Sequence, residues 1–137
     1  MTKSTNFATA LHIMAALGVS GDTPMTSDIL ARSVQTNPGL IRRVLAKLVR
    51  GGLVESQRGK HGGSTLARAP SRITLREIYE AVNEGQVLRV SGKKPQRECQ
   101  VSCNIQNVLC EVFEEAEEAM KQKLGTRRLS GVISQLN

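Results

Sequence analysis

Residues 26–52 read TSDILARSVQTNPGLIRRVLAKLVRGG. Asn37 followed by Pro38 marks a helix start: an asparagine side chain caps the open amides of a first turn, and proline has no amide to leave unpaired there. From that point Leu40, Ile41, Val44, Leu45, Leu48 and Val49 form one apolar stripe at helical spacing, while Arg42, Arg43, Lys47 and Arg50 fall on the other side. Gly51-Gly52 ends the helix, as a glycine cap does. Upstream, Thr26 or Ser27 opens a shorter helix with Ile29, Leu30 and Val34 as its apolar face. Only Gln35-Thr36 turns the chain between the two. Two helices on so short a turn, the second with a basic outer face, form a helix-turn-helix pattern.

Working outward, Leu53–Ser56 and Ser64–Ala67 read as two strands, joined by Gln57-Arg58-Gly59-Lys60-His61-Gly62-Gly63, a basic, glycine-rich hairpin tip. Helix pair followed by hairpin is the order of a winged helix-turn-helix. Before it, Asn6 caps a helix to about Leu17, with Phe7, Ala10, Leu11, Met14 and Leu17 at helical spacing. After it, Thr74 and Glu77 form a capping box for a short helix through Val82. From Asn83 to Gln100 glycine, proline and charge interrupt every period, the pattern of a long loop that is either functional or disordered. A long helix is expected from about Asn104, where Ile105, Leu109, Val112, Ala116 and Ala119 keep the rhythm of a helix that packs lengthwise on a partner. Gly125 ends it, and Leu129–Leu136 reads as a short last helix. The expected fold is mainly α with a small β-hairpin. One compact unit holds a winged helix-turn-helix (1–83), a sensor loop (84–103), and a dimerisation helix with a C-terminal helix (104–137).

The 137 residues leave room for one core. With aromatics at 2%, that core must be aliphatic, and the scarcity weakens a single-strand nucleic-acid reading, which needs aromatic platforms for stacking bases. The charge is lopsided. Residues 1–97 carry 15 Lys and Arg against 6 Asp and Glu, while residues 98–137 carry 4 against 6. A basic front half points to an acidic partner, with double-stranded DNA ahead of an anionic membrane surface. No apolar run reaches the ~18 residues of a membrane span, and the start lacks the pattern of a signal peptide. A cytoplasmic protein follows, with Cys99, Cys103 and Cys110 as thiols or ligands instead of structural disulfides.

In a helix-turn-helix the second helix enters the major groove with its N-terminal residues at base edges. Here those are Thr36, Asn37, Pro38 and Gly39, with Thr26 and Ser27 opening the preceding helix. Arg42, Arg43 and Lys47 are placed for phosphates or guanine edges, and Arg58, Gly59, Lys60 and His61 for the minor groove. The bland alternative, a solvated basic helix, leaves the basic hairpin tip unexplained.

The run Asn37-Pro38-x-x-x-Arg42-Arg43-Val44-Leu45, then Gly51-Gly52-Leu53-Val54, Arg58-Gly59-x-x-Gly62-Gly63 and Leu66-Ala67, resembles the Rrf2 family of bacterial transcription regulators. So do Ile73-Thr74-Leu75-x-x-Ile78-Tyr79-x-Ala81-Val82 and Cys103-Asn104-Ile105-Gln106. The resemblance covers nearly the whole chain. It implies a homodimer on a pseudo-palindromic operator, acting mostly as a repressor, with a sensor site between the winged module and the long helix.

The resemblance also implies two sensing chemistries. One branch of the family holds an iron–sulfur cluster on three cysteines, here Cys99, Cys103 and Cys110; another senses oxidants or electrophiles through the thiol of the Cys-Asn-Ile-Gln motif, here Cys103. The spacing C-x3-C-x6-C has a shorter first interval than cluster-binding members. If Cys103 begins the long helix, Cys110 lies about 10 Å along its axis, beyond the ~7 Å Cα reach of a disulfide. A thiol at a helix start also has its pKa lowered by the helix dipole, and Lys93, Lys94 and Arg97 push the same way. The expectation is therefore no cofactor, Cys103 as sensing thiol and Cys99 as its resolving partner, with the cluster as alternative. A thiol enzyme would need a Cys-x-x-Cys pair in a βαβ setting or a Cys–His pair with an orienting group, and neither is present. An adaptor acting through the long helix alone would leave the recognition helix and wing without a use.

Overall fold

In the computed structural model, residues 4–83, 85 and 99–136 are described; within them the side chains of residues 4, 5, 102 and 103 are not. The elements, in chain order, are α1 (Ser4–Ser20), α2 (Ser27–Val34), α3 (Pro38–Arg50), strands β1 (Val54–Gln57) and β2 (Gly63–Leu66), a 3-10 turn (Pro70–Arg72), α4 (Leu75–Val82), α5 (Gln100–Gly125) and α6 (Leu129–Ser134). The mainly helical fold with one hairpin is the expected one. Several boundaries differ. α1 begins before Asn6, so Asn6 sits inside the helix and does not cap it. α5 begins at Gln100 instead of Asn104. Of the expected sensor loop, residues 84 and 86–98, including Lys93, Lys94 and Arg97, lie outside the described residues.

α1 is the hub, packing against α2, α3, α4, α6 and β2. Its inner residues Ala10, Ile13, Met14 and Leu17 are buried, and they meet Leu30 of α2, Ile41, Val44, Leu45 and Leu48 of α3, and Ile78 and Val82 of α4. The core is aliphatic, as the scarcity of aromatics requires. α6 closes it through Leu129, Val132 and Ile133, and Gly18 lets Ile133 approach α1 where a Cβ would collide with its side chain.

The helix-turn-helix is held by its caps. Ile29 N–H donates to Thr26 Oγ1 (3.2 Å) and Leu40 N–H to Asn37 Oδ1 (2.8 Å). Gln35 takes a left-handed backbone (φ 66°), ending α2 in a position more often given to glycine. β1 and β2 pair antiparallel in the register Val54↔Leu66 to Gln57↔Gly63. β2 is tied on its other side as well. Met25 and Ser64 exchange two backbone hydrogen bonds, of 3.0 and 2.9 Å, which fasten the wing to the entry of α2. Gly63 permits this: its φ is +150°, and a Cβ there would lie 2.8 Å from the Met25 carbonyl.

α4 starts at the expected Thr74–Glu77 capping box. Leu75 N–H donates to the Arg127 carbonyl and Leu129 N–H to the Ile73 carbonyl, so the start of α4 is stitched to the turn between α5 and α6. α5 packs against α4 with one face and presents a second apolar line, Val101, Ile105, Val108 and Val112, outward. No helix among the described residues is long and apolar enough to cross a membrane.

Candidate nucleic-acid interface

α3 buries Ile41, Val44, Leu45 and Leu48 and turns its opposite side outward. At about 100° per residue, Arg42, Ala46 and Arg50 form one exposed ridge (i, i+4, i+8), with Arg43 and Lys47 beside it. On one flank lies a groove of about 760 Å³ between α3 and the hairpin, lined by Arg42, Ala46, Arg50, Ser56, Gln57 and Arg58 among others. On the other flank Arg43, Lys47 and Arg50 face Asn6 of α1 across a second hollow. Arg50 therefore borders both. The hairpin tip is exposed from Arg58 to His61.

The cations differ in their partners. Arg68 pairs with Glu77 (2.8 Å), and Arg76 pairs with Glu80 (2.9 Å) and Glu118 (3.7 Å). Among the described residues, Arg42, Arg43, Arg50, Arg58 and Lys60 have no carboxylate within ion-pair distance. Arg32, Arg72, Arg127 and Arg128 likewise have no carboxylate within that distance among the described residues, but they are scattered over α2 and the later turns, whereas α3 and the wing gather five such cations on one side; the paired arginines brace α4. Left unpaired and solvated, such a face keeps its full positive potential for a polyanion.

The N-terminal side of α3 combines capping with exposure. Thr36 is half-buried, and its N–H donates to the Ala31 carbonyl (2.9 Å). Asn37 and Thr26 are exposed and spend one oxygen each on a cap, so Asn37 Nδ2 and the Thr26 hydroxyl proton remain as donors. Pro38, Gly39 and Ser27 are half-buried beside them. The sequence set omitted Arg50, Ala46 and Gln57. Arg50 and Ala46 were findable from the i+4 spacing off Arg42; Gln57, at the end of β1, depends on how the hairpin folds back, which no local spacing encodes.

His12 is no part of this face: its Nε2 shares a hydrogen bond with Ser33 Oγ (2.9 Å). The cysteines lie at the other end of the molecule's chain order, on α5. Cys99 immediately precedes it, Cys103 is its fourth residue and Cys110 stands two turns further on. Cys99 and Cys110 are exposed and unbridged; the Cys103 side chain lies outside the described ones.

On α5 the structure separates a half-buried stripe of mixed character from an exposed apolar one. Gln106, Leu109, Phe113, Glu117, Met120 and Leu124 are half-buried on one side. Ile105, Val112, Ala116 and Ala119 are exposed on another, with Val101 and Val108 continuing them. Four of the five expected seam residues thus share the exposed line, and Leu109 stands at its edge, turned toward the protein's own body.

The α4 side chains show how charge is managed there. Burial pushes the Tyr79 hydroxyl up to about 12, and its bond to Glu117 adds to the rise. For Glu77, burial pushes upward, but the Thr74 amide and the Arg68 guanidinium together outweigh it and hold the carboxyl below its ordinary value.

The Rrf2 family model, described as an iron-dependent transcriptional regulator, matches residues 3–135. The chain is 35% identical over 133 residues to YwnA of Bacillus subtilis, a protein named as an HTH-type transcriptional regulator, covering 97% of this chain and 98% of that one. A crystal structure of a transcriptional regulator from Lactobacillus plantarum superposes with a TM-score of 0.83 at 24% identity, covering 96% of this chain and 89% of the other. CymR, the global cysteine regulator of B. subtilis, superposes at 0.70 with 23% identity, covering 96% and 95%. The last two likenesses concern the fold; the family match and the 35% relative extend over nearly the full length, and the chain belongs to the Rrf2 family of transcriptional regulators.

Proposed function

We propose that this chain works as a homodimeric repressor that reads a pseudo-palindromic duplex operator through α3 and the β1–β2 hairpin and responds to oxidants or electrophiles through the Cys103 thiol. As an Rrf2 member it is a transcription regulator and not an enzyme. The observation that carries the interface is the gathering of unpaired Arg42, Arg43, Arg50 and Arg58 on the outer face of α3 and the adjoining wing. In this reading Thr36, Asn37, Pro38 and Gly39 approach base edges, and Arg42, Arg43 and Lys47 meet phosphates or guanine. Thr26 and Ser27 present the first amides of α2 to a phosphate. Arg58, Gly59, Lys60 and His61 enter the minor groove.

Dimerisation is assigned to α5, where Val101, Ile105, Val108 and Val112 are exposed in one chain and Ala116 and Ala119 extend the line. A stripe of this kind is stable once a second helix covers it. Sensing is assigned to Cys103 because the fourth residue of a helix feels the positive end of its dipole. Cys99, four residues before Cys103, is the resolving thiol, and Cys110 is dispensable.

One observation favours a second chemistry: the family is described as iron-dependent. Cys99, Cys103 and Cys110 would be the ligands of an iron–sulfur cluster. The three fit such a group poorly, because seven residues of one helix put Cys103 and Cys110 about 10 Å apart along its axis. The test is twofold. Anisotropy titration against duplexes selected from a random pool should show specific, salt-sensitive binding by a dimer. A colourless, active protein from anaerobic purification supports the thiol reading, and broad visible absorbance lost together with iron supports the cluster.

A further inference from the structure

α5 joins the winged module mainly through α4, and the joint has a polar part with defined geometry. The Tyr79 hydroxyl donates to Glu117 Oε1 at 3.2 Å. Arg76, held by Glu80 of its own helix, reaches Glu118 Oε1 at 3.7 Å. The Tyr79 ring is itself fixed: it is buried and stands edge-on to Phe7 of α1, with centroids 5.6 Å apart at 79°. Below this point the start of α4 is bound to the α5–α6 turn by the backbone bonds of Leu75 and Leu129. Its capping Glu77 is pinned by Arg68, just beyond the wing strand β2. The long helix is therefore attached at its C-terminal end by backbone and two turns earlier by Glu117 and Glu118. Two attachment points fix the direction of a rod where one leaves it able to pivot.

We propose that Tyr79 is a positioning residue for operator recognition: its hydrogen bond to Glu117 sets the angle between α5 and the winged module, and through it the separation of the two recognition helices in the dimer. The inference rests on the homodimeric, two-half-site reading above. From Glu117 to Gln100 the helix is a lever of about 25 Å at 1.5 Å per residue. A pivot of about 5° at its base moves the far end by about 2 Å, a sizeable part of the ~3.4 Å between base pairs. Half-sites must match the recognition helices at about one helical turn, so an error of that size is felt in binding. With its hydroxyl held to about 12, Tyr79 stays a donor at any pH where the regulator binds DNA.

The test uses Tyr79→Phe, which keeps the ring against Phe7 and removes only the hydroxyl. Binding is measured on a duplex selected by the wild type, on versions with the half-sites moved by one and two base pairs, and on a single half-site. Tyr79→Phe should sediment as the wild type does and bind the single half-site equally well. It should lose about three- to ten-fold at the selected spacing and less at the shifted ones, so that the spacing profile flattens or moves. If Tyr79→Phe does not fold, Glu117→Ala, which removes the acceptor of the same bond, replaces it with the same expectation. An unchanged spacing profile, or an equal loss on half-site and full operator, overturns the proposal. A wild type that is monomeric, or indifferent to spacing, overturns the two-half-site reading itself and this inference with it.

Discussion

Replacing Arg42 and Arg43 together with alanine should flatten the salt dependence of DNA binding by an amount that can be worked from the structure. Both guanidinium groups are exposed on the outer face of α3 and have no carboxylate partner among the described residues. Each is therefore available to displace a counterion from a phosphate. A homodimer presents four of them, and at about 0.9 per phosphate contact the slope of log K against log salt should fall in magnitude by about 3.6. Between about 50 and 200 mM salt the wild type should then lose roughly 150-fold more affinity than the variant. Both positions face solvent, so stability should change by no more than about 0.5 kcal/mol, which thermal melting checks. Fluorescence anisotropy at four or five salt concentrations gives the slopes. A variant with wild-type affinity and slope would remove α3 from the DNA. A change of about half the size would mean that one of the two arginines reads a base edge, and the single variants would tell which.

Val112 is 50% exposed in the single chain, so Val112→Asp should fold with its helix content intact and sediment as a monomer; a persisting dimer would refute the seam on α5. Gly63→Ala should lose about 1–3 kcal/mol in denaturant titration and loosen the wing, because the new Cβ meets the Met25 backbone and φ is +150°; a neutral effect would mean the Met25–Ser64 bridge adapts freely. Glu77→Gln should cost about 1 kcal/mol or less near neutral pH. The Glu77 carboxyl is held below its ordinary value in the folded chain, so its contribution is present above the ordinary carboxylate range and fades as pH falls through the folded value. The variant and wild type should therefore converge in acid, and a gap that stays constant down to low pH would refute the assignment.

What could be read from the sequence was what local chemistry decides. Asn37 and Pro38 could only begin a helix, the stripe from Ile41 to Leu48 could only face inward, and the Thr74–Glu77 box marked the start of α4 at Leu75. Contacts between distant segments were not legible. The Met25–Ser64 bridge, the stitching of Ile73 and Leu75 to residues 127–129, and the place of Gln57 beside Arg42 all depend on how finished elements fold back. On α5 the difficulty was different. Its sequence carries a mixed stripe and an apolar one about 100° apart, and periodicity gives the angle of each without saying which one α4 covers. Leu109 belongs to the half-buried stripe, at the edge of the exposed line that the other four seam residues share. The early start of α5, at Gln100, was hidden by the absence of a strong cap.

The most direct test of the proposed switch is the operator affinity of one preparation measured reduced, after mild oxidant, and after re-reduction, in wild type, Cys103→Ser and Cys110→Ser. Binding that is lost on oxidation and regained on reduction in the wild type and Cys110→Ser, and that ignores oxidant in Cys103→Ser, is the expected result. A response that survives in Cys103→Ser, or that follows the iron content of the protein, would contradict it.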